Sequence, residues 1–227
     1  MANLVDKIQD IINNIDSNID VVSTDGTIIL VCDTKWITEL KFVKDELGNE
    51  YKVTSFVENT SVTVTPGTGS PALFSGDILV APEITYFHGS PASVNAEYNR
   101  LRQKTSRKTP FIWLVEPYES DDIGLLSPFT DNWKPILYFM EWLKGDDNND
   151  KQNNLAIKPM EALGDAFEDA VNIDFTIKRT TFRDKRRPRF GIDLTNRGSN
   201  EKIIDEDLSG IEKRFDLSLF KTSDCKC

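Results

Sequence analysis

The chain has 227 residues, 39% of them apolar and 28% charged, a composition that suits a folded chain with a core of its own and not a disordered one. Thirty-seven acidic residues against 27 basic ones leave a net charge of −10, which excludes a nucleic-acid binder held by bulk charge. One histidine, His88, and three cysteines, Cys32, Cys225 and Cys227, remove most histidine-based catalysis, most zinc sites and any disulfide framework.

Leu4, Val5, Ile8, Ile11, Ile12, Ile15 and Ile19 recur at helical spacing and predict an amphipathic helix at the start. Asp25-Gly26 then turns the chain into Thr27–Cys32, a short apolar strand expected to be buried, so a helix feeds directly into a sheet. The longest apolar run, Ile28–Cys32, is five residues, against about 20 for a membrane span. No basic, apolar leader pattern opens the sequence. The expectation is a soluble protein assembled in a reducing cytoplasm. From 34 to 86 the pattern changes to short β-branched and aromatic runs, Trp36–Val43, Tyr51–Val57, Ser61–Thr65 and Asp77–Val80, separated by turn residues. Such spacing predicts a small antiparallel barrel or sandwich.

The body resumes near His88. Ala92 to about Lys104 reads as a helix, Phe111–Val115 as a buried strand, and Pro117–Pro128 as a loop. Pro135–Leu143 fits either strand or helix, and Gly145–Asn154 is a polar loop. Met160, Leu163, Phe167, Ala170 and Val171 mark a further amphipathic helix, followed by strand-like Ile173–Ile177, Arg189–Leu194 and Arg214–Phe220. The predicted fold class is α+β: an N-terminal helix and mixed sheet body, residues 1–33 and 87–227, with an inserted small antiparallel β-barrel-like subdomain at 34–86.

Few constellations carry chemistry. Asp146, Asn148 and Asp150 alternate like calcium ligands, but Lys151 stands where the loop needs glycine and Ile157 where it needs glutamate. The Gly67/Gly69 loop lacks the lysine of a phosphate-binding loop. His88 has Ser90 and Ser93 nearby only in sequence and reads as a structural turn residue, and pairs such as Glu116/Glu119 and Asp121/Asp122 are unremarkable among 37 acids. No catalytic residue, metal ligand, cofactor or small-molecule substrate is assigned. The basic run is the exception: Lys178, Arg179, Arg183, Lys185, Arg186, Arg187 and Arg189 put seven cations in twelve residues, with Asp184 the single acid. It is expected to form a projecting hairpin or loop that docks on an acidic neighbour or touches phosphates without reading sequence. A second group, Arg100, Arg102, Lys104, Arg107 and Lys108, suits a helix end.

The order of elements, with the central Pro110–Pro117 segment and the C-terminal Gly210–Phe220 segment, resembles tail-completion or neck-ring proteins, the head-to-tail connectors of tailed bacteriophages, in particular the ring proteins of crAss-like podoviruses. That resemblance implies a non-enzymatic virion protein of the neck or tail, a homo-oligomeric ring of six or twelve copies. Its partners would be the portal, other ring proteins or tail proteins, with non-specific proximity to the genomic DNA in the exit channel. The 178–189 run is then the candidate contact between protomers or adjacent rings. The competing expectation is a binding module whose β insertion holds a carbohydrate or peptide through Trp36, Tyr51 or Phe56.

Overall fold

The computed structural model describes residues 4–66, 77–101, 108–122, 129–142, 153–174, 177–190 and 208–220. Helix α1 (Leu4–Asn13) buries Leu4, Ile8, Ile11 and Ile12, but it is shorter than its apolar pattern. It stops where Asp16 accepts the Asn18 N–H at 3.0 Å, a local bond that competes with the helix ladder. Ile19 satisfies both periods at once, because it is also an inward position of the following strand.

Six antiparallel strands close a barrel: β1 (Asn18–Asp25), β2 (Ile28–Val31), β3 (Phe42–Asp45), β4 (Glu50–Val57), β5 (Ser61–Pro66) and β6 (Ile78–Val80), in the order β1-β2-β5-β4-β3-β6 with β6 returning to β1. Alternation fills the interior with Ile19, Val21, Ile29, Val31, Val43, Val53, Val62, Val64 and Leu79. The barrel therefore draws on 18–31, which the sequence pattern had given to the body. The apolar run of β2 is buried on one face only, with Ile28 and Leu30 turned out. Trp36 precedes β3 instead of opening it; it is buried and donates its indole N–H to the Pro82 carbonyl at 2.8 Å.

The remaining strands form one mixed sheet: β7 (Thr85–Gly89), β8 (Phe111–Val115), β9 (Glu119–Asp122), β10 (Phe129–Lys134), β11 (Ile136–Trp142), β12 (Ile177–Phe190) and β13 (Leu208–Phe220). Only β7 and β8 pair in parallel. Strands β10 and β11 are one line of chain broken at Pro135, whose carbonyl still accepts the Phe215 N–H at 3.1 Å. On one side β13 lies against both of them; on the other it pairs with β12. β7 was not anticipated, β9 falls in the expected Pro117–Pro128 loop, and Pro135–Leu143 resolves as strand.

Helix α2 (Pro91–Arg100) packs Val94 and Tyr98 on one face of this sheet, against Phe87, Phe111 and Trp113. Ser90 caps it, accepting the Ser93 N–H at 3.3 Å. Helix α3 (Lys158–Ile173), preceded by a π-helical turn over Asn153–Ile157, covers the other face. Its Phe167 meets Phe139 and Phe215 edge-on, with centroids 5.7 and 5.4 Å away. Ile173 thus ends a helix and does not open a strand. The apolar core runs without a break from the barrel past α1 to the α3 face. No helix among the described residues is long and apolar enough to cross a membrane.

Candidate interface on the basic edge strand

Fourteen residues long, β12 pairs only with β13, and no other described strand lies on its outer edge. The basic run thus lies along a strand and not in a loop or hairpin tip. Pro188 sits at the register shift between Arg187 and Phe190, which suits an edge, since a proline cannot donate to a ladder on both sides. The side chains of Lys178, Arg179, Arg183 and Arg189 lie outside the described residues, as do Gly191–Leu194 and the calcium-like stretch 146–150.

Strand period divides the run between two faces. On the α2 face one row crosses the sheet through Phe87, Trp113, Tyr138, Glu212 and Lys185. Apolar rings give way along it to charge: Trp113 and Tyr138 stack at 5.2 Å, and Glu212 beyond them is 1% exposed at its side chain. Arg187 grips the Glu212 carboxylate with both Nε, at 2.7 Å, and Nη2, while Arg214 adds its Nε at 2.7 Å. Burial pushes the Glu212 carboxyl up, but these guanidinium bonds outweigh it and hold the group below the usual carboxylate range. Arg183 lies opposite Arg214 in the register, and Lys185 opposite Glu212.

On the α3 face Arg186 reaches Glu161 at 2.7 Å. Lys213, whose side chain is 1% exposed, passes under α3 and ends between Asp165 (3.0 Å), Glu168 (2.6 Å) and Asp184 (3.4 Å). Burial lowers its proton affinity, and the carboxylates more than restore it, leaving its pKa above the ordinary lysine value. Gly164 makes the passage possible: a Cβ there would come within 2.8 Å of Ile211 Cδ1 and closer still to Lys213 Cε. Of the seven predicted cations the structure thus spends Arg186 and Arg187 on internal pairs and leaves Lys185 exposed.

A different charged group, missed in the sequence, joins barrel to sheet. Lys41, which precedes β3, and Glu141 of β11 form an ion pair at 2.6 Å with side-chain exposures of 3% and 1%. Thr109 bridges them, its carbonyl accepting from Lys41 at 2.7 Å and its hydroxyl donating to Glu141 at 2.7 Å. Glu141 Oε2 has no hydrogen-bond partner among the described residues. Burial holds the Lys41 ammonium below its ordinary pKa, against the pull of Glu141. A cleft of about 550 Å³ opens beside it, walled by Ile12, Ile15, Trp36, Phe42 and Pro82. The available signal was slight, a charge flanked by apolar neighbours: Lys41 between Leu40 and Phe42, and Glu141 between Met140 and Trp142.

The remaining candidates do not converge. His88 is on strand β7, half exposed, with Nδ1 3.2 Å from Glu116 Oε1, while Ser90 and Ser93 bond to each other at the α2 cap. Lys108 is buried, donating to the Tyr98 carbonyl at 2.8 Å; Arg102, Lys104 and Arg107 lie outside the described residues, as do Cys225 and Cys227. Cys32 is exposed just past β2. Of the proposed ligand-binding aromatics, Trp36 and Tyr51 are buried with their polar atoms bonded, to Pro82 and Asp45 respectively, and Phe56 packs partly buried against the core. No group of three or more His, Cys, Asp or Glu side chains among the described residues is placed to hold a metal. No family model, curated protein or solved structure matches the chain.

Proposed function

We propose that the chain is a non-enzymatic structural subunit that assembles with its own copies into a ring, at the neck or tail of a tailed bacteriophage virion, where the portal and neighbouring ring or tail proteins are its partners. The observation that carries this reading is the open edge of β12, a strand of fourteen residues bearing seven cations in a protein of net charge −10. A long exposed strand edge is a template for pairing with another chain, and a strongly cationic one selects an acidic neighbour. The element order and the Pro110–Pro117 and Gly210–Phe220 segments, with their likeness to neck-ring proteins, favour a virion ring over other assemblies. An acidic body also suits an exit channel, because acids facing the lumen would keep DNA from adhering.

Light scattering behind size exclusion, over a concentration series at two salt levels, tests the assembly. A closed species of six or twelve subunits that weakens with salt is expected, since screening shortens the reach of surface charge to about 8 Å at physiological ionic strength. A monomer at every concentration and at both salt levels would overturn it. The phage assignment is tested separately by binding to a portal ring.

A further inference from the structure

Three strands bound the sheet, β7, β9 and β12, and two of them carry charge of opposite sign. Across one end the strands run β9, β10, β13, β12, each pair antiparallel. One outer strand, β9, is Glu119-Ser120-Asp121-Asp122, and it pairs only with β10 among the described residues. The other is β12, with its seven cations. The register ties the two directly: Asp121 is in line with Asn132, Ser218 and Lys178, and Ser120 with Trp133, Leu217 and Arg179.

Resting on the ring reading above, we infer that the protomers join head to tail through this sheet, the acidic edge β9 of one copy adding to the basic edge β12 of the next. The direction is already correct. Four strands alternating in sense leave β9 and β12 running oppositely, so a second copy carried along the hydrogen-bond direction presents its β9 antiparallel to β12. Charge disfavours either strand pairing with its own kind: β12 on β12 would oppose two strongly cationic strands, and β9 on β9 three acids to three, and like charges across a strand pair are destabilising. The crossed pairing alone is attractive. It is heterologous, the class of contact that closes into rings when the rotation per subunit permits. The same charges guard each edge against pairing with its own kind, which lets a long open strand persist in an unassembled subunit.

The test reverses one edge at a time and leaves Arg186 and Arg187 alone, since both are committed to internal carboxylates. One variant carries Glu119→Lys, Asp121→Lys and Asp122→Lys; the other carries Lys178→Glu, Arg183→Glu and Lys185→Glu. Each alone is expected to lose the oligomer peak under conditions where the parent chain assembles. Mixed in equal amounts, they should regain a particle of the parent's size, built of alternating copies, because both crossed contacts are again complementary. A chain carrying all six substitutions should assemble by itself, which serves as the test if either triple variant fails to fold. Assembly of either triple variant alone would overturn the edge contact while leaving the ring intact. Folded variants that do not rescue one another would also overturn it. A parent chain that stays monomeric throughout overturns the ring and the contact together.

Discussion

The six strands of the barrel, none longer than eight residues, close on themselves through β1 and β6, whereas the sheet ends in β7, in the acidic β9 and in the fourteen-residue β12. Closure leaves the barrel without an outer strand, so it has little to offer another chain by strand addition. The open sheet keeps that capacity and marks it with charge. Their buried charges differ in the same sense. Lys41 and Glu141 face each other in the buried seam where barrel meets sheet, while Lys213, equally buried along its stem, delivers its ammonium to three carboxylates at the rim of α3. One pair clamps a closed part to its support; the other network holds a helix on a sheet whose margin stays available.

The largest effect should come from breaking the clamp. Glu141→Ala leaves Lys41 buried without its partner and is expected to cost about 3–5 kcal/mol in urea unfolding. Replacing both, Lys41→Met with Glu141→Leu, should recover most of that loss, because the pair's mutual attraction mainly offsets its own desolvation. A loss under about 1 kcal/mol in the single variant would mean that water reaches the seam and that barrel and sheet are not clamped there. Second in size is Gly164→Ala. Its Cβ would intrude on Ile211 and on the stem of Lys213, and overpacking of this kind costs about 1–3 kcal/mol. An unchanged unfolding midpoint would show that Lys213 does not hold the path described.

How much of this was legible in the sequence depended on whether period or partner decided the outcome. Strict alternation in Ser61–Thr65 announced the inward Val62 and Val64, and helical spacing announced Met160, Leu163, Phe167 and Val171. The α+β class and the small barrel followed from such patterns. The barrel's limits did not, because membership of a closed sheet is a matter of long-range pairing: β1 and β2 look like the end of a helix and an isolated strand until β5 and β6 are set beside them. Strand β9 was hidden for another reason, since Glu-Ser-Asp-Asp has low strand propensity and is held by pairing with β10. The basic run was visible as charge, but whether it was loop or edge was settled by the pairing of β13 along it. Glu212 and Lys213 are adjacent in sequence and buried on opposite faces, which no composition window separates.

Alkaline pH offers a smaller but sharper contrast between the two lysines. Lys41 has a folded pKa below its ordinary value, so in the window between the two the unfolded chain binds more protons and its contribution to stability rises with pH. Lys213 has a folded pKa above the ordinary value; its contribution is complete below that ordinary value, near 10.5, and is lost as pH climbs through the folded one. Unfolding measured from pH 8 to 11 on the parent, Lys41→Met and Lys213→Met should therefore give difference curves of opposite slope. On the acid side Glu212 gives the converse: its pKa is depressed from 4.5, so its stabilisation is present above that value and declines as pH falls through the folded one. Parallel difference curves for the two lysines would erase the distinction between seam and rim.

The smallest effect on stability belongs to the edge itself, and it is the most informative about the sheet. Lys185 and Arg187 share one face of β12 two residues apart, yet they should respond differently to reversal. Lys185→Glu places a carboxylate opposite Glu212 in the register and is expected to cost about 0.2–1 kcal/mol, the usual size of a cross-strand charge effect. Arg187→Glu would instead bring a second carboxylate to Glu212, which is buried and depends on that guanidinium, and should lower the melting temperature measurably. If the edge exists to meet another chain, assembly will follow the opposite ranking per unit of stability lost: Lys185→Glu should weaken the oligomer while leaving the fold intact. Equal melting losses for the two substitutions would mean that the run serves the fold alone, and that the strand's open margin is protected by its charge and not employed.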